Sequence, residues 1–203
     1  MHVAIAGNIG SGKTTLAELL SKHYGWRAQY EETEDNPYLY DFYSDMQRWS
    51  FHLQVYFLGK RFKQIVEIQK SKENIVQDRT IFEDAYIFAA NLRAMQLMSD
   101  SDYATYLGLF ELMNSLIAPP DLLIYIRASV PTLVRQIQRR GRKYELGIRL
   151  DYLENLNACY ENFIQPYQHP KLIVDVDEVN FSDNPKDLSE VLSKIDAMTN
   201  GLF

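Results

Sequence analysis

The sequence predicts an α/β fold in which helices flank a parallel sheet, and three observations support this prediction. Short β-rich runs alternate with long helical patterns along all 203 residues, which is typical of doubly wound sheets with right-handed crossovers. Three of the runs are almost continuously apolar, as expected for strands buried on both faces. A glycine-rich loop joins the first run directly to the first helical pattern. We expect a single domain covering residues 1–203.

The individual elements follow from hydrophobic periodicity and from proline positions. Strands are predicted at 2–6, 27–30, 74–77, 122–126 and 172–176. Helices are predicted at 14–24, 37–46, 50–71, 82–98, 102–117, 130–140, 149–165 and 185–198. Pro119 and Pro120 end one helix before the fourth strand, and Pro166 ends another before the fifth. Because such sheets bind ligands beyond the carboxyl ends of their strands, the residues after each strand are the first candidates for a site.

The loop after the first strand matches the phosphate-binding pattern GxxxxGK[ST]. Its glycines allow a tight turn whose N–H groups point at phosphate oxygens, and the following helix N-terminus adds partial positive charge. The Lys13 ammonium can reach the β- and γ-phosphates, and the Thr14 hydroxyl suits a Mg²⁺ ligand. The predicted ATP-binding residues of this loop are Gly7, Asn8, Ile9, Gly10, Ser11, Gly12, Lys13, Thr14 and Thr15. The alternative is an accidental match in a glycine-rich turn.

Charge and composition exclude several classes of partner. With 21 basic and 27 acidic residues the net charge is −6, which disfavours binding to polymeric nucleic acid. No apolar run approaches the roughly 20 residues that a membrane helix needs. The first strand begins almost at the N-terminus, so we expect no signal or transit peptide. The one cysteine, Cys159, cannot form an internal disulfide and favours a cytoplasmic location.

Carboxylates follow the second strand. Glu31 or Glu32 could accept the proton of a hydroxyl that attacks a phosphoryl group. Adjacent residues of an extended segment point in opposite directions, so only one of the two is expected to face the site. The alternative is an ordinary acidic loop.

Charged residues also follow the third and fifth strands. After the third, Asp78 could hold Mg²⁺, and Arg79 could pair with a carboxylate or a phosphoryl oxygen. The alternative is a structural ion pair, with Thr80 as the N-cap of the next helix. After the fifth, Asp175 resembles the end of a metal-binding strand, but we favour a loop that contacts the nucleotide base.

Two further helical segments carry candidate binding groups. A basic cluster precedes or surrounds glycines that could act as hinges. It consists of Arg135, Arg139, Arg140, Arg142 and Lys143. It predicts a lid over ATP phosphates at about 135–147, with a solvated charged helix face as the alternative. In the helix 50–71, Gln54 and Arg61 are seven residues apart and share a face, which suits recognition of a base edge or simply two surface positions.

Taken together, these motifs resemble the deoxyribonucleoside kinases, the group that contains deoxycytidine, deoxyguanosine and deoxyadenosine kinases. The resemblance covers about 7–181. Its motifs are Gly-Asn-Ile-Gly-Ser-Gly-Lys-Thr at 7–14, Glu31, Tyr43 with Arg48-Trp49-Ser50-Phe51, Gln54, Arg61, Asp78-Arg79-Thr80, Asp84 with Tyr86-Ile87-Phe88-Ala89, and Arg140-Gly141-Arg142 with Glu145. The family implies a P-loop kinase fold whose five-stranded parallel sheet has the order 2-3-1-4-5, an Arg-rich lid and a helix-bundle homodimer.

The resemblance also implies roles for individual residues. Glu31 is the expected general base for the 5′-hydroxyl, and Arg79 and Lys13 are the other expected catalytic residues. The substrate site is expected to contain Glu31, Tyr43, Gln54, Arg61, Arg79, Asp84 and Glu145, with Tyr43 and Glu145 at the sugar 3′-hydroxyl. Mg²⁺ is expected at Thr14, Asp78 and Glu31. Beyond the phosphate loop, ATP is expected to contact Arg140, Arg142, Asp177 and Phe181.

The last expectations from the sequence concern the preferred base and the alternative functions. Asp84 and Arg61 together resemble family members that accept cytosine or purine deoxynucleosides. The stretch Glu34-Asp35-Asn36-Pro37-Tyr38 is similar to bacterial deoxyadenosine and deoxyguanosine kinases, and we expect deoxyadenosine. The alternative is a nucleoside monophosphate kinase of the thymidylate kinase type, which needs basic groups for the acceptor phosphate. A GTP-binding switch needs an Asn-Lys-x-Asp motif, which this sequence lacks.

Overall fold

A computed structural model of the chain describes residues 1–30, 36–142, 145 and 147–199. Its five parallel strands are β1 (His2–Gly7), β2 (Arg27–Gln29), β3 (Ile75–Asp78), β4 (Leu122–Arg127) and β5 (Lys171–Asp175). They lie in the order β2-β3-β1-β4-β5, which confirms the prediction. This order brings the residues that follow β1 and β3 together, because the two strands are direct neighbours.

Nine α-helical segments are assigned within the described residues. They are α1 (Lys13–Tyr24), α2 (Leu39–Ser44), α3 (Met46–Lys70), α4 (Ile81–Glu83), α5 (Ala90–Ala94), α6 (Asp100–Asn114), α7 (Val130–Arg140), α8 (Leu150–Ile164) and α9 (Pro185–Thr199). None of the helices in the described part of the chain is long and apolar enough to cross a membrane.

The prediction of one continuous helix over 82–98 was wrong. The α4 and α5 helices are separated by a π-helical turn at Asp84–Ala89, and α5 ends at Ala94 rather than at residue 98. At the end of α5, Gln96 adopts a left-handed conformation with φ 59°, and Leu97 and Met98 donate to the Leu92 carbonyl instead of continuing the helix. The π-helical turn places Asp84 and Phe88 on the wall of a cavity.

The alternating residues of the central strands supply two hydrophobic layers. Val3 and Ile5 of β1 pack on one face of the sheet against α1 and α9, whereas Ala4 and Ala6 face the layer formed by the other helices. Each of these four side chains is fully buried. This arrangement is why the β1 sequence is continuously apolar, and it anchors the phosphate loop to a buried central strand.

Candidate active site

The phosphate loop has the geometry that its sequence predicts. Gly7 has no room for a side chain, because an added Cβ atom would lie 2.9 Å from the Ile126 carbonyl oxygen. Gly10 has φ +84°, a conformation that favours glycine, and an added Cβ atom there would lie 2.7 Å from Ile137. The Lys13 ammonium donates to the carbonyl oxygens of Gly7, at 2.8 Å, and Asn8, at 3.0 Å. The loop therefore curls around the Lys13 side chain at the N-terminus of α1.

Within the loop, Asn8 has a structural role. Its side-chain amide donates to the Leu153 carbonyl and to the Asn157 side chain of α8, at 3.1 and 2.6 Å, and its Oδ1 accepts from the Ile9 N–H. These bonds attach the phosphate loop to α8. The Asn8 side chain thus faces the protein interior, which leaves only its backbone available to a phosphate.

Two cavities meet at this loop. The first encloses about 860 Å³ including its open mouth, which suits a ligand of nucleoside size. The second, about 1880 Å³ on the same measure, extends along the outer side of the loop. Five residues line both cavities: Gly10, Lys13, Thr14, Arg140 and Arg142. A ligand in either cavity therefore approaches the same phosphate-binding and basic groups.

Most of the predicted substrate residues line the first cavity. They are Tyr43, Gln54, Arg79, Asp84 and Glu145, together with the metal candidate Asp78 and the loop residue Ile9. Arg61 does not line it, but its Nε lies 2.5 Å from Asp84 Oδ2, and both side chains are at most 3% exposed. Of the residues predicted from sequence to recognise the base, Gln54 and Asp84 line the cavity, whereas Arg61 is ion-paired to Asp84 and does not line it.

The second cavity contains most of the remaining residues expected to contact ATP. Ser11, Gly12, Thr15 and Phe181 line it, as do the lid arginines. Asp177 is not among the described residues that line this cavity. Its carboxylate accepts hydrogen bonds from the Ser129 N–H and from the Ser129 and Thr132 hydroxyls. Burial alone would raise the pKa of Asp177, but the hydrogen bonds from Thr132 and Ser129 outweigh it and lower that pKa. Asp177 thus stabilises the start of α7, and its contact with ATP stays a prediction.

The lid arginines have partners of their own. Arg140 donates to Glu145 through Nε, at 3.1 Å, and through Nη2, at 2.5 Å. Arg142 Nη1 lies 3.6 Å from the other carboxylate oxygen of Glu145, whose side chain is only 4% exposed. Glu145 therefore connects the first cavity to Arg140 and Arg142, two of the arginines that line the second.

A possible metal site lies where β1 and β3 end. The Thr14 hydroxyl donates to Asp78 Oδ2 at 2.6 Å. Asp78 Oδ1 is buried and has no hydrogen-bond partner among the described residues. A buried carboxylate oxygen of this kind beside a hydroxyl fits Mg²⁺, which prefers oxygen ligands. By contrast, Asp175 accepts from the Asp177 N–H at 3.0 Å, as expected for a turn.

Several predicted residues cannot be compared with the structure, and several site residues were not predicted. Glu31, Glu32, Glu34, Asp35 and Lys143 lie outside the described residues. Tyr30, the last described residue before Glu31, lines the first cavity. Apolar residues complete the wall of that cavity, namely Leu39, Phe42, Leu53, Phe57, Phe88 and Tyr152. Their spacing in the sequence is that of core positions, so only the structure reveals that they enclose a site.

The family can now be stated from the whole chain. A family model described as "Deoxynucleoside kinase" matches residues 3–200. The chain belongs to the deoxynucleoside kinase family. This confirms the resemblance drawn from the motifs and favours a nucleoside acceptor over the nucleoside monophosphate of the alternative. The deoxynucleoside kinase is accordingly an enzyme that transfers a phosphoryl group.

Individual relatives agree with the family model. The chain is 37% identical over 196 residues to a deoxyadenosine/deoxycytidine kinase of Bacillus subtilis, covering 95% of this chain and 90% of the relative. It is 38% identical over 191 residues to a deoxyadenosine kinase of Dictyostelium discoideum, covering 94% and 77%. A solved structure of deoxyadenosine kinase from M. mycoides with the products dCMP and a flexible dCDP has a TM-score of 0.88 and 32% identity, covering 97% of this chain and all of that one. The same enzyme with bound dATP gives a TM-score of 0.85.

Proposed function

We propose that this deoxynucleoside kinase transfers the γ-phosphoryl group of ATP to the 5′-hydroxyl of a deoxynucleoside, with deoxyadenosine as the preferred acceptor. The observation that carries this proposal is the pair of cavities that share Gly10, Lys13, Thr14, Arg140 and Arg142. One cavity suits the uncharged nucleoside, and the other suits the nucleotide. The shared residues supply backbone N–H groups and positive charge at the junction, as phosphoryl transfer requires.

The polar groups of the nucleoside cavity favour a base with an exocyclic amino group. Gln54 is 3% exposed, and its Oε1 has no hydrogen-bond partner among the described residues. An amino group of adenine, cytosine or guanine could donate to this oxygen, whereas thymine has no such group. The relatives named deoxyadenosine kinase favour adenine among these bases.

Five residues have proposed roles in the transfer step. Glu31 takes the proton of the 5′-hydroxyl, and Arg79 orients the reacting groups from the cavity wall. Tyr30 lines the nucleoside cavity, so the segment that leads to Glu31 and Glu32 begins at this cavity. Thr14, Asp78 and Glu31 would hold Mg²⁺, and the ion would neutralise charge on the ATP phosphates when bound. Lys13 would exchange its bonds to loop carbonyls for bonds to phosphate oxygens.

The lid and the outer loop complete the ATP site in this proposal. The segment 135–147 closes over the phosphates through Arg140 and Arg142, while Phe181 packs on the base side. Phe181 lies 3.5 Å from the position that a Cβ atom on Gly12 would occupy, which brings it against the phosphate loop. The single cysteine of the chain is consistent with a reducing compartment such as the cytoplasm.

A homodimer is part of the proposal because apolar side chains on and just after α6 and α8, together with one in the π-helical turn, form an exposed apolar face. We use this name for Tyr86, Leu109, Leu112, Leu116, Phe163 and Tyr167. Leu112 and Leu116 are 65% and 66% exposed, and Tyr86 is 48% exposed. Tyr86 stacks on Phe163, which contacts Tyr167, so the aromatic part of the face is continuous. An apolar surface of this kind marks an interaction site, and a second copy of the chain would cover it.

A phosphorylation panel tests the proposed function. Purified protein with Mg²⁺ and γ-labelled ATP is incubated with each natural deoxynucleoside and, separately, with dTMP. We expect labelled 5′-monophosphates, with deoxyadenosine giving the highest kcat/KM. Absence of product from every deoxynucleoside would refute the proposal, and product from dTMP alone would support the monophosphate kinase instead. Turnover of Glu31→Gln and Glu32→Gln then identifies the base, because only the loss of the base lowers kcat by orders of magnitude.

A further inference from the structure

The Arg79 side chain is held by a buried tyrosine. Its Nη1 donates a long hydrogen bond of 3.4 Å to the Tyr160 hydroxyl, and its guanidinium lies 4.4 Å from the centre of the Phe88 ring. The Arg79 backbone has φ 73°, a left-handed conformation that non-glycine residues adopt only where their surroundings impose it. Arg79 is therefore constrained at both its backbone and its side chain.

The Tyr160 hydroxyl also reaches the phosphate loop. It lies 2.7 Å from the Gly7 carbonyl oxygen and 2.8 Å from Glu83 Oε1, and it donates its one proton to one of these acceptors at a time. Tyr160 is fully buried, and burial, followed by the nearby charge of Glu83, raises its pKa well above the usual value. The hydroxyl consequently remains protonated and keeps its role as a donor.

Glu83 links the two loops that follow β1 and β3. Its carboxylate accepts from the Gly7 N–H at 3.2 Å, from the Thr80 N–H at 2.7 Å and from the Thr80 hydroxyl at 3.1 Å. Its side chain is fully buried. Thr80 directly follows Arg79, so one carboxylate is bonded both to the start of the phosphate loop and to the neighbour of the arginine.

We propose that Glu83 and Tyr160 are positioning residues that set the orientation of Arg79 relative to the phosphate loop. The chain of contacts runs from Arg79 through the Tyr160 hydroxyl to Glu83 and Gly7. It joins Arg79, which is proposed to act on the deoxynucleoside, to the phosphate loop, which is proposed to bind ATP. This inference rests on the proposed role of Arg79, and the experiment below separates the two.

The physical reason is that phosphoryl transfer depends on the alignment of groups more than on their presence. Displacement of a positioned group by about 1 Å costs up to about 100-fold in rate. Removing the Tyr160 hydroxyl leaves the guanidinium charge in the cavity but removes one of the contacts that orient it. The step from bound substrates to products should therefore slow, while the binding of each substrate should change little.

The test is Tyr160→Phe, which removes one oxygen atom from a buried ring. We expect kcat to fall by about 10- to 100-fold, while KM for ATP and for deoxyadenosine changes by less than about threefold. The matched control is Tyr125→Phe. Tyr125 stacks on Tyr160 at 5.7 Å between ring centres, but its hydroxyl donates to Glu161 instead. Its kcat should equal that of the wild type.

A double-mutant cycle with Arg79→Ala decides whether Tyr160 acts through the arginine. If it does, Tyr160→Phe costs nothing further in the Arg79→Ala background. If the losses in kcat of the two single variants multiply fully in the double variant, the inference is overturned. An unchanged kcat for Tyr160→Phe alone also overturns it. An unchanged kcat for Arg79→Ala overturns the proposed role of Arg79 itself. If Tyr160→Phe does not fold, Glu83→Gln enters the same cycle with the same expected outcome and the same criteria.

Discussion

The Thr14 hydroxyl donates a 2.6 Å hydrogen bond to the Asp78 carboxylate, although the two residues are 64 positions apart in the chain. Thr14 lies in the first turn of α1, and Asp78 is the last residue of β3. The contact exists because β1 and β3 are paired in parallel, so that both strands end at the same edge of the sheet. It leaves Asp78 Oδ1 buried and without a partner among the described residues, which makes this oxygen the group best suited to a cation.

The first prediction concerns the magnesium dependence of turnover. Asp78→Asn keeps the size of the side chain but removes its negative charge, so the Mg²⁺ concentration at half-maximal rate should rise by at least about tenfold. The rate is measured against free Mg²⁺ at saturating ATP. Asp100→Asn, at an exposed position of α6 that lines neither cavity, is the control and should keep the wild-type curve. If Asp78→Asn has the wild-type Mg²⁺ dependence, Asp78 does not hold the metal.

The second prediction concerns the buried pair of Arg61 and Asp84. Asp84→Ala leaves the Arg61 charge in a site where its side chain is 2% exposed, and this should cost about 3–5 kcal/mol of unfolding free energy. The double variant Arg61→Met/Asp84→Ala removes both charges and should recover most of the loss. Urea unfolding of the single and double variants measures both quantities.

The control for this prediction is a second ion pair, which is exposed to solvent. Arg27 and Glu73 lie 2.9 Å apart with side chains 41% and 64% exposed, so Glu73→Ala should cost less than about 1 kcal/mol. If the double variant at Arg61 and Asp84 is as unstable as Asp84→Ala, the cost comes from lost packing rather than from the unpaired charge. Base selectivity of Asp84→Ala can be measured in the same samples, and we expect it to be relaxed.

The sequence predicts the strands and the phosphate loop because their signals are local. Continuous apolar runs locate β1 and β4, and the glycine spacing locates the loop between β1 and α1. The order of the strands is not local, since pairing depends on which apolar faces meet, and it came from the family resemblance. The break at Asp84–Ala89 was missed because a π-helical turn adds one residue without changing the hydrophobic pattern enough to be noticed.

The residues of the candidate site also divide into those with a local sequence signal and those without one. Lys13, Thr14 and Asp78 belong to recognisable motifs, whereas Tyr160 occupies a position that fits the buried stripe of α8. Glu83 had a usable signal, because Thr80 and Glu83 form a capping box with the spacing T-x-x-E. That signal predicts a helix start and nothing about the additional bond to Gly7. Long-range polar contacts of this kind depend on tertiary packing, which a single sequence does not specify.

The third prediction tests the homodimer. Leu112→Glu introduces a charge at a 65% exposed position of the exposed apolar face and should give particles of about one chain mass, 23.7 kDa, where the wild type gives twice that. Light scattering coupled to gel filtration measures the mass. Leu150→Glu, at an equally apolar but separate position that is 55% exposed, should leave the dimer intact. A monomeric wild type would exclude the dimer without affecting the proposed reaction.

The fourth prediction concerns the lid. Glu145→Gln weakens the charged hydrogen bonds to Arg140, so the lid should close less completely. Such bonds contribute about 1.5–3 kcal/mol, and we expect kcat/KM for the deoxynucleoside to fall by about 10- to 100-fold. Steady-state kinetics at saturating ATP measure the change. Glu154→Gln, on the exposed side of α8, is the control, and an equal effect of both substitutions would argue against a specific role for Glu145.

The fifth prediction is a pH dependence of stability at the opposite edge of the sheet. Burial lowers the pKa of His2 from its usual value of 6.5, and the hydrogen bond with Gln77 and the charge of Asp121 oppose this only partly. The folded protein thus binds a proton at His2 less readily than the unfolded chain does. Below pH 6.5 the unfolded state gains protons first, so this contribution to stability is complete above that pH and decreases as the pH falls.

His2→Gln removes the titrating group while keeping a side chain that can bond to Gln77, whose Oε1 lies 2.9 Å from His2 Nε2. The unfolding free energy of the wild type should therefore fall more steeply between pH 7 and 5 than that of the variant, with a constant difference between the two above pH 7. Urea unfolding at a series of pH values measures both slopes. Parallel slopes through this range would mean that His2 is protonated equally easily in the folded and unfolded states, and the buried position of its ring would then have no effect on acid stability.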